Sequence, residues 1–171
     1  MSLIKYGARV DRTDTKVRTA LHFAIRDKPF AGHLESTKSD TSTAEILLQA
    51  GADVNMTDRE GNSPLNLACG RGVTELVKLF LSRGASSNTG TTTGKYPIHA
   101  ACRRQDYDSV KLLLEYNADV TVLDDSGKTV LHYALESEYL HSSYYDKRTS
   151  RSIIGVPHHN FRFILKSRSK S

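Results

Sequence analysis

The segment "GNSPLNLACGRG" that opens at Gly61 returns as "GKYPIHAACRRQ" at Gly94 and as "GKTVLHYALESE" at Gly127, a stride of 33 residues each time. An even stride of this size marks stacked supersecondary units, none of which can bury its apolar face alone. A chain of 171 residues has room for one such array or one ordinary domain, and not for a two-domain enzyme.

The local chemistry repeats with the phrase. Ser63 before Pro64 reads as an N-cap and first helical residue, because the hydroxyl accepts from orphan N–H groups and proline has none to orphan. A short helix follows from about Pro64 to Gly70. The next stretch, "TELVKLFLSRGAS", sets Leu76, Val77, Leu79, Phe80 and Leu81 at three- and four-residue spacings, which predicts a second, amphipathic helix. Gly84 supplies the left-handed residue that ends it. The following unit repeats the pattern with Pro97, Val110, Leu112, Leu113 and Leu114. It ends on Asn117, the residue that best tolerates the left-handed conformation after glycine.

These residues resemble the ankyrin repeat, whose pattern runs roughly D-x-x-G-x-T-P-L-H-x-A-A, then a second helix, then G-A-D-V-N. The copies here are "TDTKVRTALHFAI", "DREGNSPLNLAC", "TTTGKYPIHAAC" and "DDSGKTVLHYAL", with "GADVN" at Gly51, "GASSN" at Gly84 and "NADVT" at Asn117. The resemblance implies an all-α solenoid of stacked helix-turn-helix units with β-hairpin loops, in one domain over residues 1–171. Its register gives a partial repeat (1–11), a first repeat with an insertion (12–55), a second (56–88), a third (89–121) and a divergent fourth with a Tyr-rich insertion and a basic tail (122–171).

Departures from the family pattern fall at Asn66 in place of His, Tyr96 in place of Thr, Ala20 and Val130 in place of Pro, and Val17 in place of Gly. Two units exceed the period. About 11 residues are inserted around "DKPFAGHLESTKSDTS" and about 18 around "ESEYLHSSYYDKRTSRSIIGVPHH", both between the two helices of a unit. After the second, "NFRFILKSR" restores helical spacing at Phe161, Ile164 and Leu165, as if the fourth unit were completed late.

By resemblance, such an array has no catalytic residues, cofactor or metal and binds a protein partner through its loop tips and the exposed side of each first helix. Carried over unit by unit, those positions are Arg18 and Arg26, then Arg59, Glu60, Asn62 and Arg71. The third unit contributes Thr92, Lys95, Arg103 and Arg104, and the fourth Asp125 and Lys128. Along the first helices Arg26, Arg71, Arg103 and Arg104 make a basic ladder that ends at Glu136. It reads either as a groove for an acidic or phosphorylated segment, since arginine forks pair with carboxylate and phosphate, or as a solvated polar surface. Tyr144 and Tyr145, with Tyr139 and neighbouring cations, form a second contact surface or cover the flank of the last unit.

The three same-phase histidines, His22, His99 and His132, are structural in the family, tying the helix start to neighbouring backbone or hydroxyl groups. Cys69 and Cys102 share a phase and read as small core side chains, too widely spaced for a disulfide. Asn55 and Asn88 occupy a position that is hydroxylated in some ankyrin proteins. No phosphate-binding loop, H-E-x-x-H or G-x-S-x-G motif occurs.

Composition adds limits. The 38% hydrophobic and 25% charged residues fit a folded soluble chain, and the net charge of +5 favours acidic partners. Two cysteines, no secretory h-region and no apolar run of membrane length point to a reducing compartment, cytoplasmic or nuclear. The expected function is a non-enzymatic protein-interaction module that uses its concave face, with no small-molecule substrate, no membrane insertion and no nucleic acid. The alternatives are a ubiquitin-ligase substrate adaptor, an inhibitor of the IκB type, and the targeting arm of a larger enzyme or channel.

Overall fold

The computed structural model describes residues 2–25 and 37–142, with side chains for 4–25 and 41–136. After a short α1 (Ser2–Lys5), helices come in pairs: α2 (Ala20–Ala24) with α3 (Thr37–Gln49), α4 (Pro64–Arg71) with α5 (Thr74–Ser82), and α6 (Pro97–Arg103) with α7 (Tyr107–Glu115). The last described helix is α8 (Val130–Ser142). The first helices stack in the order α2, α4, α6, α8, and the second helices in the order α3, α5, α7. Each first helix through α6 also packs on the second helix of its own pair.

Phase decides what is buried. Leu21, Leu65 and Ile98 occupy one position of successive first helices, and Leu47, Phe80 and Leu113 one position of the second helices; all are buried. Each such Leu or Phe contributes about 1.5–3 kcal/mol by leaving water. The core therefore runs as a continuous seam between two helical layers. Cys69 and Cys102 sit in it as free, fully buried thiols. Burial pushes the Cys69 thiol well above its ordinary range, and Cys102 up to about 12.

The ends of the helices follow the residues expected to set them. Ser63 Oγ accepts from the Asn66 N–H, and Asn117 takes φ 59° beside Gly51 and Gly84 in the same role. Both insertions are partly helix. Helix α3 starts at Thr37, inside the stretch assigned to the first insertion, and α8 runs on to Ser142, inside the second. The remaining inserted residues lie outside the described ones.

Three sets of hydrogen bonds join one unit to the next. At the loop tips, the Arg59 N–H donates to the Lys16 carbonyl (2.9 Å), Thr92 N–H to Glu60 (2.9 Å) and Asp125 N–H to Thr93 (3.3 Å). At the helix starts, His22 Nε2 donates to the Asn62 carbonyl (3.1 Å), Asn66 Nδ2 to Thr89 (2.9 Å) and His99 Nε2 to Val122 (3.3 Å). On the outer turns, Asn55 accepts from the Ser86 N–H and donates to the Gly84 carbonyl. Asn88 repeats both contacts with Asp119 and Asn117. Asp11 holds this position in the partial first unit and accepts from the Asp53 N–H, but a carboxylate has no donor for the second bond.

The loops themselves close by local bonds, and one antiparallel bridge, Leu123 with Thr129, is the strand pairing found among the described residues. Asp14, Asp58 and Asp124 each accept two backbone N–H groups of their own turn. The fourth residue of each turn is left-handed: Gly61, Gly94 and Gly127, but Val17 at φ 63°. A Cβ at Gly61 would stand 2.7 Å from the Thr92 nitrogen, so the tip bond between those units needs glycine for contact as well as for φ. Val17 carries strain in the same turn.

Two outcomes follow in equilibrium denaturation. Val17→Gly raises stability by about 1 kcal/mol, the relief of β-branched strain less the chain entropy of glycine. Asn88→Ala lowers it by about 1–2 kcal/mol, since two bonds between units are lost together.

Candidate functional site

The loop tips lean over the first helices and leave a groove on that side. Its larger part, a cleft of about 520 Å³, spans the first and second units. Lys16, Arg18, Arg59 and Arg71 supply positive charge, Asp58 and Glu60 negative, and Phe23, Ile25 and Leu67 the apolar wall. A second part of about 250 Å³ continues into the third unit and shares Asn62, Leu67 and Arg71 with the first. It adds Lys95, Tyr96 and Ala100. The two parts form one groove with Arg71 at their junction.

The groove charges are not equivalent. Arg18 forks onto Asp14 with bonds of 2.9 and 2.7 Å and lies 4.4 Å over the Phe23 ring centroid. That hydrogen bond is the main reason the Asp14 carboxyl drops to about 2. Asp58 is occupied by its own turn, accepting from the Glu60 and Asn62 N–H groups and the Asn62 amide. Phe23 remains 55% exposed in spite of the guanidinium above it, leaving an apolar surface beside the cations.

Beyond the third unit the chemistry changes. Lys128 pairs with Glu136 at 2.7 Å and approaches the Tyr133 ring, while the Tyr133 hydroxyl donates to Asp124 at 2.6 Å. Burial and then the Asp124 bond push Tyr133 up to about 12, and the same bond is the main cause that holds Asp124 below the ordinary carboxylate range. Lys128, Glu136, Tyr133 and Asp124 thus satisfy one another within the fourth unit.

A family profile described as "Ankyrin repeats (3 copies)" matches residues 33–124 and again 87–143, more than half of the chain. The chain belongs to the ankyrin-repeat family. Among individual proteins, a stretch of 65 residues is 43% identical to a Protein fem-1 homolog of Drosophila melanogaster, covering 35% of this chain and 10% of that protein. A stretch of 77 residues is 39% identical to the Nuclear factor NF-kappa-B p105 subunit of Gallus gallus, covering 43% of this chain and 7% of the relative. The chain therefore matches a tenth or less of the length of these relatives.

In this ankyrin array, Arg18, Arg59, Glu60, Asn62, Arg71 and Lys95 are brought together around the groove. Thr92 sits at the loop tips with its hydroxyl on the Glu60 carbonyl at 2.9 Å. The basic ladder does not stay in one line. Arg104 turns back along the stack, and its Nη2 donates to the Arg71 carbonyl at 2.8 Å, at the end of α4 where carbonyls lack helical partners. Gly72 lets it pass, since a Cβ there would stand 2.9 Å from the Arg104 Nε. Arg103 and Asp125 are exposed outside the groove lining, and Lys128 is paired in the fourth unit. Arg26, Tyr144 and Tyr145 lie outside the described residues. The apolar wall of Phe23 and Leu67 was missed as a contact surface, although both follow the His22/Asn66 position and so share the exposed side of the first helices.

The histidines act as structural links. In His22 and His99, Nε2 donates to a carbonyl and Nδ1 accepts from the N–H three residues earlier, which assigns the Nε2–H tautomer. His132 Nδ1 accepts from the Thr129 N–H and hydroxyl. Among the described residues no group of three or more His, Cys, Asp and Glu could hold a metal ion, and no helix is long and apolar enough to cross a membrane.

Burial holds His99 below its ordinary 6.5, and Lys95 acts in the same direction, against the Val122 bond and the Asp124 charge. The unfolded imidazole therefore binds a proton more readily than the folded one. Stability from this group is complete above 6.5 and declines as pH falls through the lower folded value. In denaturation curves from neutral to mildly acid pH, His99→Asn shows a smaller acid loss than the parent, because asparagine repeats the carbonyl bond seen at Asn66 and carries no titrating ring.

Proposed function

We propose that this chain binds a protein partner by taking an acidic segment, carboxylate or phosphorylated, into the groove that runs from Arg18 to Lys95. The ankyrin repeat is a non-catalytic protein-interaction fold, and that coarser role follows from family membership. One observation carries the finer reading. Lys16, Arg59, Arg71 and Lys95, with Arg18 held on Asp14 beside them, line a continuous groove against Asp58, which is engaged by its own turn, and Glu60.

Such a groove recognises by charge and shape together. Arginine forks at Arg59 and Arg71 suit carboxylate or phosphate oxygens, and the Phe23 and Leu67 wall accepts an apolar side chain next to the acidic one. Groove walls held by bonds between units need little reordering on binding, which lowers the entropic cost of association. Lys128, paired with Glu136, and Asp124, bonded to Tyr133, mark the end of the basic track among the described residues. The proposed unit organisation, from a partial repeat at 1–11 to a divergent fourth at 122–171, places this track wholly within the first three full units. The relatives' matched shares transfer the fold and its interaction class; a role as adaptor, inhibitor or arm of a larger protein requires the partner itself.

The reading is tested on an immobilised array of acidic, phosphorylated and neutral peptides at low and physiological salt. The parent chain retains acidic peptides, and Arg71→Glu/Lys95→Glu weakens that retention at least tenfold, whereas Arg103→Glu, outside the groove, changes it less than twofold. Equal retention by the parent and the groove variant sinks the proposal.

A further inference from the structure

Between the second and third units the groove deepens because side chains change size at three in-phase positions. Phe23, Leu67, Ala100 and Tyr133 share one position of the first helices, and the third unit has the small residue. Gly70 shares a position with Arg103 and Glu136, so a long side chain is missing on the facing side as well. Tyr96 stands where Thr19 and Ser63 are buried caps, and it is half-buried instead.

Gly70 has no structural reason to be glycine. A Cβ there would meet nothing within 4 Å, and its φ is not left-handed. It lies in the last turn of α4, where glycine weakens a helix relative to alanine. The Tyr96 ring, by contrast, is held in place. A Cβ at Gly90 would stand 3.1 Å from its Cζ, and the ring sits edge-on to His99 with centroids 5.9 Å apart at 62°. The result is a pocket of about 250 Å³, with Leu67, Gly70, Tyr96 and Ala100 in its lining and Arg71 and Lys95 beside them. Its volume is that of roughly eight waters at ~30 Å³ each, room for one large side chain.

We infer, on the acidic-segment reading of the groove, that this pocket takes an aromatic side chain whose neighbours in the bound segment carry the carboxylates. Charge alone does not separate one acidic segment from another, and a shaped apolar pocket does. An aromatic ring buries a large apolar area with few rotatable bonds and packs edge-on or offset against a ring such as Tyr96. Carboxylates on the flanking residues are then placed for Arg71 and Lys95. Gly70 and Ala100 are the specificity-determining residues, since their small size leaves the pocket open.

The full chain is titrated by calorimetry with three peptides that carry two aspartates on each side of a central phenylalanine, leucine or alanine. The parent binds the phenylalanine peptide at least tenfold more tightly than the alanine peptide, and more tightly than the leucine peptide. Gly70→Leu brings the three within twofold of one another, leaves the affinity for the alanine peptide unchanged and does not lower the melting temperature. Retained binding of the alanine peptide shows that the fold and the cations of this variant are intact. Equal affinities for the three peptides in the parent overturn the pocket and leave the acidic groove standing. A phenylalanine preference that survives Gly70→Leu does the same, as does loss of the alanine peptide in that variant. A leucine peptide bound as tightly as the phenylalanine peptide overturns the aromatic assignment. Binding of none of the three by the parent overturns the pocket and the acidic groove together.

Discussion

A unit of 33 residues has two helices and one loop, too little to bury both sides of either helix, so every unit depends on its neighbour. The bonds that enforce this dependence lie at three heights of the stack: backbone pairs at the loop tips, histidine or asparagine at the helix starts, and the Asn55 and Asn88 amides at the outer turns. Each recurs with the period because the residue that makes it recurs. The apolar seam provides the driving force, and the polar ties fix the spacing. Thr74 adds a further link, donating to Asp106, which caps α7 by accepting from the Ser109 N–H.

This spacing is what makes the groove a defined object. The loop tips can overhang the first helices only if consecutive turns sit edge to edge, which the Arg59–Lys16 and Thr92–Glu60 bonds ensure. Arg71 sits half-buried where the two parts of the groove meet, and its carbonyl is held by Arg104 from the next unit. Arg104 thus belongs to the scaffold of the groove through its bond to α4. Along the stack, Lys128 and Asp124 pair with Glu136 and Tyr133 within the fourth unit, and Arg71 and Lys95 belong to the groove lining.

Much of this was legible in the sequence because phase is a strong constraint. The Ser63 cap, the left-handed Asn117, the buried cysteines and the linking histidines all follow from knowing which turn of which unit a residue occupies. Asn66 shows how far phase reaches, since its amide spans to the next unit as the His99 ring does despite the change of residue. Phase is less informative for long side chains. Arg71 and Arg104 share a position, yet one lines the groove and the other reaches backwards, a choice of rotamer and neighbour that spacing does not encode. Helix length in the two irregular units was also hidden, because a polar run such as Thr37–Thr43 has no apolar periodicity to mark its start.

The proposed recognition occurs on the side of the loop tips and first helices. A photo-crosslinking side chain placed at Leu67, on the groove wall, is compared with one at Lys78, exposed on α5. With the chain bound to a partner, adducts are expected from Leu67 and none from Lys78. Adducts from Lys78 alone would contradict it and move recognition to the second-helix face.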